Sequence, residues 1–293
     1  MTSWFVRGLA AASVLVLAAC GEQSDGQGAD RPVPDPLRIA TEGAYPPYNM
    51  TDAAGNLTGF DVDVAREVCA RIKVECRIVA QNWDGIIPGL QTGKYDAIAA
   101  GMSITEERER VVAFTQGYAT TPAYFVALND SPLQDTDTGL ERVNLTDLDE
   151  AEKAALATLR ERLKGRTVGV QSATIHANFL DQYLADTVSV RRYDTQENLS
   201  MDLAAGRIDA GLADASAWEA FLDSPEGRNA SFFGPGFDGG LFGRGMGIAI
   251  RQNEPALLDA LNGALASMQQ DGTLKRLSEQ WFGFDASMPA GTR

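Results

Sequence analysis

Gly93-Lys94-Tyr95-Asp96-Ala97 returns later in the chain as Gly206-Arg207-Ile208-Asp209-Ala210, and each phrase leads into an apolar strand within a similar series of elements. Working outward from the first, residues 37–41 and 76–80 read as strands, 95–100 as a third, and 83–91 and 105–112 as helices. Residues 61–72 place Val64, Ala65, Val68, Cys69 and Ile72 at spacings of three and four, which makes one buried helical face. Around the second phrase, strands are predicted at 167–171, 188–193 and 208–213, with helices at 175–184 and 196–205. Alternating strand and helix favours a parallel or mixed sheet covered on both faces. Two such series predict an α/β protein of two lobes with similar design. Between them the pattern breaks into Pro, Asp, Thr and Gly over 130–149, and 150–163 reads as a surface helix. A glycine-rich strand at 243–251, a helix at 255–270 and a closing segment to Phe282 need a surface to pack on. The economical prediction is that the chain crosses back and finishes on the first lobe.

The N-terminus has its own logic. Arg7 precedes an apolar run over 9–19, too short to span a bilayer as a mature helix but suited to a signal-peptide core. The run ends at Leu17-Ala18-Ala19-Cys20-Gly21, where small residues let a peptidase cut and leave the thiol at the new terminus. This resembles the bacterial lipoprotein signal, which implies that residues 1–20 are the signal and that Cys20 carries lipid. The alternative is an ordinary signal peptide with an incidental cysteine. Residues 21–36 hold Gly, Gln, Ser, Asp and Pro with almost nothing apolar and read as a disordered tether. No later segment is long and apolar enough to cross a membrane. With Cys20 lipidated, Cys69 and Cys76 form an even pair in an oxidising compartment, and a disulfide is expected; two buried thiols are the alternative. One histidine and no further cysteine argue against a metal site, and nothing points to a cofactor. A net charge of −15 argues against nucleic acid as partner and mildly favours cationic ligands by steering, although acidity also serves solubility.

Seven phrases occur in order: Glu42-Gly43-Ala44-Tyr45-Pro46-Pro47, Gly59-Phe60-Asp61-Val62-Asp63, Trp83-Asp84-Gly85-Ile86-Ile87-Pro88-Gly89-Leu90, Tyr95-Asp96-Ala97-Ile98, Ser103-Ile104-Thr105-Glu106-Glu107-Arg108, Val168-Gly169-Val170-Gln171 and Asp271-Gly272-Thr273. In this combination the chain resembles the polar amino-acid-binding proteins of ABC importers, which include the lysine/arginine/ornithine and histidine binders, from about 37 to 284. Gln81-Asn82-Trp83 and the extra helix before Lys164-Gly165 look most like the octopine- and nopaline-binding branch, whose ligands are arginine derivatives with an enlarged acid end. The resemblance implies a two-lobe periplasmic binding protein of type II, its lobes joined by two crossing hinge strands with the ligand enclosed between them. It assigns 37–123 with 238–293 to lobe 1 and 124–237 to lobe 2. It also implies a monomer in the periplasm or on the outer face of the cytoplasmic membrane, partnered by a permease and its ATPase.

An enclosed amino acid must have each of its charges paired. Arg108 can hold the carboxylate through two parallel N–H bonds, with Ser103 and the backbone near Thr174 adding donors. Asp214 would take the ammonium. Glu42, Tyr45 and Trp83 would meet the side chain, one by charge and two by aromatic faces, which favours a guanidinium or ammonium. Taken singly, Arg108 reads as a solvated ion-pair partner, Trp83 as core, Tyr45 as a turn packer and Glu42 as a helix cap. Where lysine/arginine/ornithine binders have serines, this chain has Ala100 and Gly101, whose side chains donate nothing and leave room for an N-substituted ligand. Ile175 stands where a polar residue is common, and His176 is expected at the surface or behind the ligand's immediate partners. The rival class is an enzyme, because some relatives of this fold are dehydratases. Such chemistry needs a positioned acid or base, and no His/carboxylate or Ser/His constellation stands out in the sequence. A sensor without transport would share every binding residue.

Overall fold

The computed structural model describes Met1 and residues 32–289. Residues 2–31, which hold the rest of the signal, Cys20 and most of the tether expected over 21–36, lie outside the described residues; the end of that stretch is not loose, since Val33 packs on the first lobe's core and Asp35 Oδ1 accepts from Glu75 N–H at 2.9 Å. The first lobe is built on a five-stranded sheet in the order Cys76–Ala80, Leu37–Thr41, Ala97–Ile98, Ala249–Ile250, Ala113–Phe114. Leu37–Thr41 runs parallel to both neighbours, as connections through covering helices require, while Ala249–Ile250 enters antiparallel from the far end of the chain. Helix Phe60–Ile72 buries Val64, Ala65, Val68 and Cys69 against this sheet. Cys69 is disulfide-bonded to Cys76 on the following strand, with 5.6 Å between their Cα atoms.

Helices Pro255–Gln270 and Thr273–Phe282 pack on helix Phe60–Ile72 through Leu257, Leu261, Leu265, Leu274 and Leu277, so the chain does finish on the first lobe. Pro255 at the first turn starts the longer helix, where its missing N–H costs nothing. Gly272, in the left-handed region at φ 77°, turns the chain between the two.

The second lobe carries six strands in the order Ser189–Tyr193, Thr167–Gln171, Ala210–Asp214, Ala123–Leu128, Ala230–Asp238, Arg142–Asn144. The first three are parallel; Ala123–Leu128 and Ala230–Asp238 pair antiparallel to each other. Those two connect the lobes. Beyond their ends the chain pairs within lobe 1, where Met246 N–H donates to Ala119 O at 2.8 Å and Tyr118 N–H to Met246 O at 2.8 Å. Phe125, Phe179, Phe233 and Phe237 fill the core of lobe 2. Helix Glu150–Leu163 covers it with Ala155, Leu159 and Leu163, and Asp149 and Glu152 cap its start reciprocally. The architecture is thus the expected two-lobe α/β fold of the type II periplasmic binding proteins.

Several local expectations are corrected. The helix expected at 105–112 is a single turn, Glu106–Glu109, capped by Thr105. The strands expected over 95–100 and 243–251 are two residues each, because Gly101 at φ 59° and Gly245 at φ 89° bend the chain out of extended geometry. The helix expected over 175–184 runs from Ile175 to Phe179 and then widens into a π-turn over Leu180–Leu184.

Candidate ligand-binding site

The carboxyl ends of the parallel strands face one another across the cleft. Glu42 follows strand Leu37–Thr41, Gln171 and Asp214 end strands of lobe 2, and Gln196 opens the helix after Ser189–Tyr193. Open α/β sheets place ligands at these strand ends, where the last side chains and the loops turn inward. Between the lobes lies a cavity lined by residues of both. The structure brings all nine expected residues onto its walls: Glu42, Tyr45, Trp83, Ala100, Gly101, Ser103 and Arg108 from lobe 1, Thr174 and Asp214 from lobe 2.

Arg108 is set by its capped turn: Thr105 Oγ1 accepts from Arg108 N–H at 3.3 Å, and Arg108 Nη1 donates to Ser103 O at 3.0 Å. Its guanidinium carbon lies over the Trp83 ring, 5.3 Å from the ring centre, within cation–π range. Burial lowers the Arg108 guanidinium to about 10, countered by the charges of Glu107 and Asp214. It stays a cation at neutral pH.

Opposite, Glu42 Oε1 accepts from Gln171 Nε2 at 2.7 Å, and that amide also donates to Asp194 O at 3.1 Å. Burial pushes the Glu42 carboxyl up to about 7; the Gln171 bond opposes this and the charge of Asp84 adds to it. Tyr45 OH donates across the cleft to Asp214 Oδ2 at 2.7 Å. Burial, then the Asp214 charge, hold the Tyr45 phenol well above its ordinary range, so it remains a donor. Trp83 Nε1 donates to Ala173 O at 3.0 Å, another tie between the lobes. Ala173 itself sits at φ 54°, a backbone strain that turns this carbonyl toward Trp83.

Thr174 caps the short helix Ile175–Phe179, accepting from Ala177 N–H at 3.1 Å and donating to Gln171 O at 2.8 Å. Gly101 is shaped by backbone as much as by space, since its φ of 59° belongs to the left-handed region. Beneath it lies Asp61, fully buried, accepting from Tyr118 OH at 2.6 Å and Asn49 Nδ2 at 3.0 Å. Asn49 Oδ1 in turn accepts from Gly43 N–H at 2.7 Å and fixes the turn beside Glu42.

Four further residues of lobe 2 line the cavity: Gln171, Ile175, His176 and Gln196. Of the two places expected for His176, the surface is overturned by its burial. It is 5% exposed, packs on Phe242, and lies with Nε2 at 3.7 Å from Asp214 Oδ1. Its helix is too short and too closely covered to leave that face in solvent. Gln171 and Gln196 carried a readable signal, their position at strand ends. Among the described residues no group of three or more His, Cys, Asp or Glu side chains could hold a metal ion, and no helix is long and apolar enough to cross a membrane.

The chain is 36% identical over 269 residues to the octopine-binding periplasmic protein of Rhizobium meliloti, covering 86% of this chain and 91% of that one. It is 36% identical to the L-arginine-binding protein of Pseudomonas aeruginosa over 253 residues, 85% of this chain and 89% of that protein. The crystal structure of a periplasmic His/Glu/Gln/Arg/opine family-binding protein from Silicibacter pomeroyi in complex with lysine superposes with a TM-score of 0.69 at 32% identity, covering 86% of this chain and 100% of that one. Residues 37–284 match one family throughout, and the chain belongs to the bacterial extracellular solute-binding proteins, family 3.

Proposed function

We propose that this chain captures a cationic amino acid (arginine, lysine or ornithine) or an arginine-derived opine by closing its lobes over it, and delivers it to the permease and ATPase of an ABC importer. One observation carries the reading: a stacked guanidinium and two carboxylates, Arg108, Asp214 and Glu42, line a single cavity between the lobes. These are the partners that a carboxylate, an α-ammonium and a cationic side chain require. Arg108 takes the carboxylate beside Ser103 and Thr174, Asp214 the ammonium, and Glu42 the side-chain cation between Tyr45 and Trp83, with Ala100 and Gly101 leaving room at the head. The lobes are assigned to 37–123 with 238–293 and to 124–237. The relatives' own names, octopine-binding and L-arginine-binding, support the ligand class.

Residues 1–20 are proposed as a lipoprotein signal, with Cys20 as the anchor of a monomeric protein outside the cytoplasmic membrane. Replacing Cys20 with alanine should move the protein from the membrane fraction to the soluble one. The role is binding rather than catalysis. Turnover of prephenate or arogenate by the purified protein would sink that reading, and the buried His176–Asp214 pair is where to look for it. The ligand is tested by a thermal-shift panel of amino acids and opines, because a ligand that binds the folded state alone raises the melting temperature. A panel in which neutral or acidic amino acids alone stabilise would overturn the cationic assignment.

A further inference from the structure

We propose that Gln196 is a specificity-determining residue, whose side-chain carbonyl makes this cavity select a guanidinium over an ammonium at the end of the ligand's side chain. The inference rests on the cationic reading above and deepens it. Gln196 is the first residue of helix Gln196–Ala204, placed by the N-cap Thr195, whose Oγ1 accepts from Asn198 N–H at 3.2 Å. Its side chain is 3% exposed and lines the cavity. Nε2 donates to Ser200 Oγ, one helical turn on, at 3.3 Å. With the amide in this orientation, Oε1 is buried with no donor among the described residues. A buried carbonyl without a donor is costly, and such groups in folded proteins are regularly completed by a ligand or water.

The neighbourhood decides which donor fits. Gln171 Nε2 commits its hydrogens to Glu42 Oε1 and to Asp194 O, two residues before Gln196. The lining of this one cavity therefore includes two separate acceptors, the Glu42 carboxylate and the Gln196 carbonyl, with Gln171 tying Glu42 to the segment that leads into Gln196. A guanidinium carries five coplanar N–H donors spread over three nitrogens, no acceptor, and a face that stacks on aromatic rings. One head can serve both oxygens while its plane lies along Trp83. An ammonium radiates three donors from a single, strongly hydrated point and is less able to span two acceptors set apart. A ureido group would turn its own oxygen toward the same acceptors.

The test is calorimetry on the full chain with L-arginine and L-lysine, using the wild type, Gln196→Met and Gln196→Glu. The wild type should bind arginine more tightly than lysine. Gln196→Met, of similar volume, should weaken arginine by roughly 10–100-fold, the value of one hydrogen bond to a charged group, and lysine by less than about threefold. Gln196→Glu keeps the acceptor and should hold arginine within about threefold of the wild type or better. Equal losses for both ligands in Gln196→Met, or unchanged arginine binding, would overturn the inference while leaving the cationic reading intact. A wild type that binds neither arginine nor lysine would overturn both. Should Gln196→Met fail to fold, asymmetric Nω,Nω-dimethylarginine tests the wild type directly. It should bind at least about tenfold more weakly than arginine, and equal binding refutes the role of Gln196.

Discussion

If the proposed cation site is right, cation binding and proton binding compete for the Glu42 carboxylate. Burial raises it to about 7 in the empty cleft, against an ordinary 4.5, despite the bond from Gln171. A ligand cation requires the ionised form. The ionised fraction falls from about nine-tenths at pH 8 to about one in a hundred at pH 5, so the Kd for arginine should weaken by up to about 90-fold, or ~2.7 kcal/mol. At pH 7, binding should expel about half a proton. Titration calorimetry at four pH values between 5 and 8, in two buffers of different ionisation heat, measures both quantities. Glu42→Gln should bind cations weakly at every pH and lose this slope. The difference between wild type and variant isolates Glu42 from Asp61, which both retain. Stability runs the opposite way. Because the folded value lies above the unfolded one, the Glu42 contribution to the empty protein is fully present below about pH 4.5 and is lost as pH rises through 7. Equal slopes in wild type and Glu42→Gln, or no buffer dependence at pH 7, would refute the argument.

Arg108→Lys keeps the charge but loses the fork and the stack on Trp83, and should weaken every α-amino acid by about 10–100-fold in calorimetry; Arg108→Ala should abolish binding, and losses confined to cationic ligands would contradict its assignment to the carboxylate. Replacing Cys69 and Cys76 together by serine opens a short loop and should lower the urea-unfolding free energy by about 2.5 kcal/mol, the chain-entropy value for that length. Burial raises Asp61 to about 7 from an ordinary 3.8, ahead of the opposing bonds from Tyr118 and Asn49, so its contribution is present below about pH 3.8 and lost as pH rises through 7. Asp61→Asn should therefore be less stable than the wild type, with a gap in urea midpoint that narrows from pH 5 to pH 8; a gap that stays constant would show that Asp61 is already ionised in the native state at pH 5.

The sequence by itself determined what depends on short-range rules. The alternation of strand and helix announced two α/β lobes, and the helices read over 150–163 and 255–270 stand at those bounds in the structure. The nine expected site residues could be named because most follow a strand end or sit in a phrase that resembles the family. What the sequence could not decide depended on residues far apart meeting. The connecting strand Ala230–Asp238 is interrupted by Gly234-Pro235-Gly236, which reads as a turn. There the strand bulges, with Gly234 at φ 66°, and pairing on either side with Ala123–Leu128 and at Gly236 with Arg142, all distant in sequence, keeps it one element. Tyr45 was read as an aromatic face, yet its hydroxyl bonds Asp214 across the cleft. His176 was read outside the site because nothing local shows that Phe242 and Asp214 converge on it. Local periodicity and capping are written within a few residues, whereas closure of the cleft is a property of two lobes packed against each other. The orphaned oxygen of Gln196, on which the proposed choice of guanidinium rests, is likewise visible only in the folded structure.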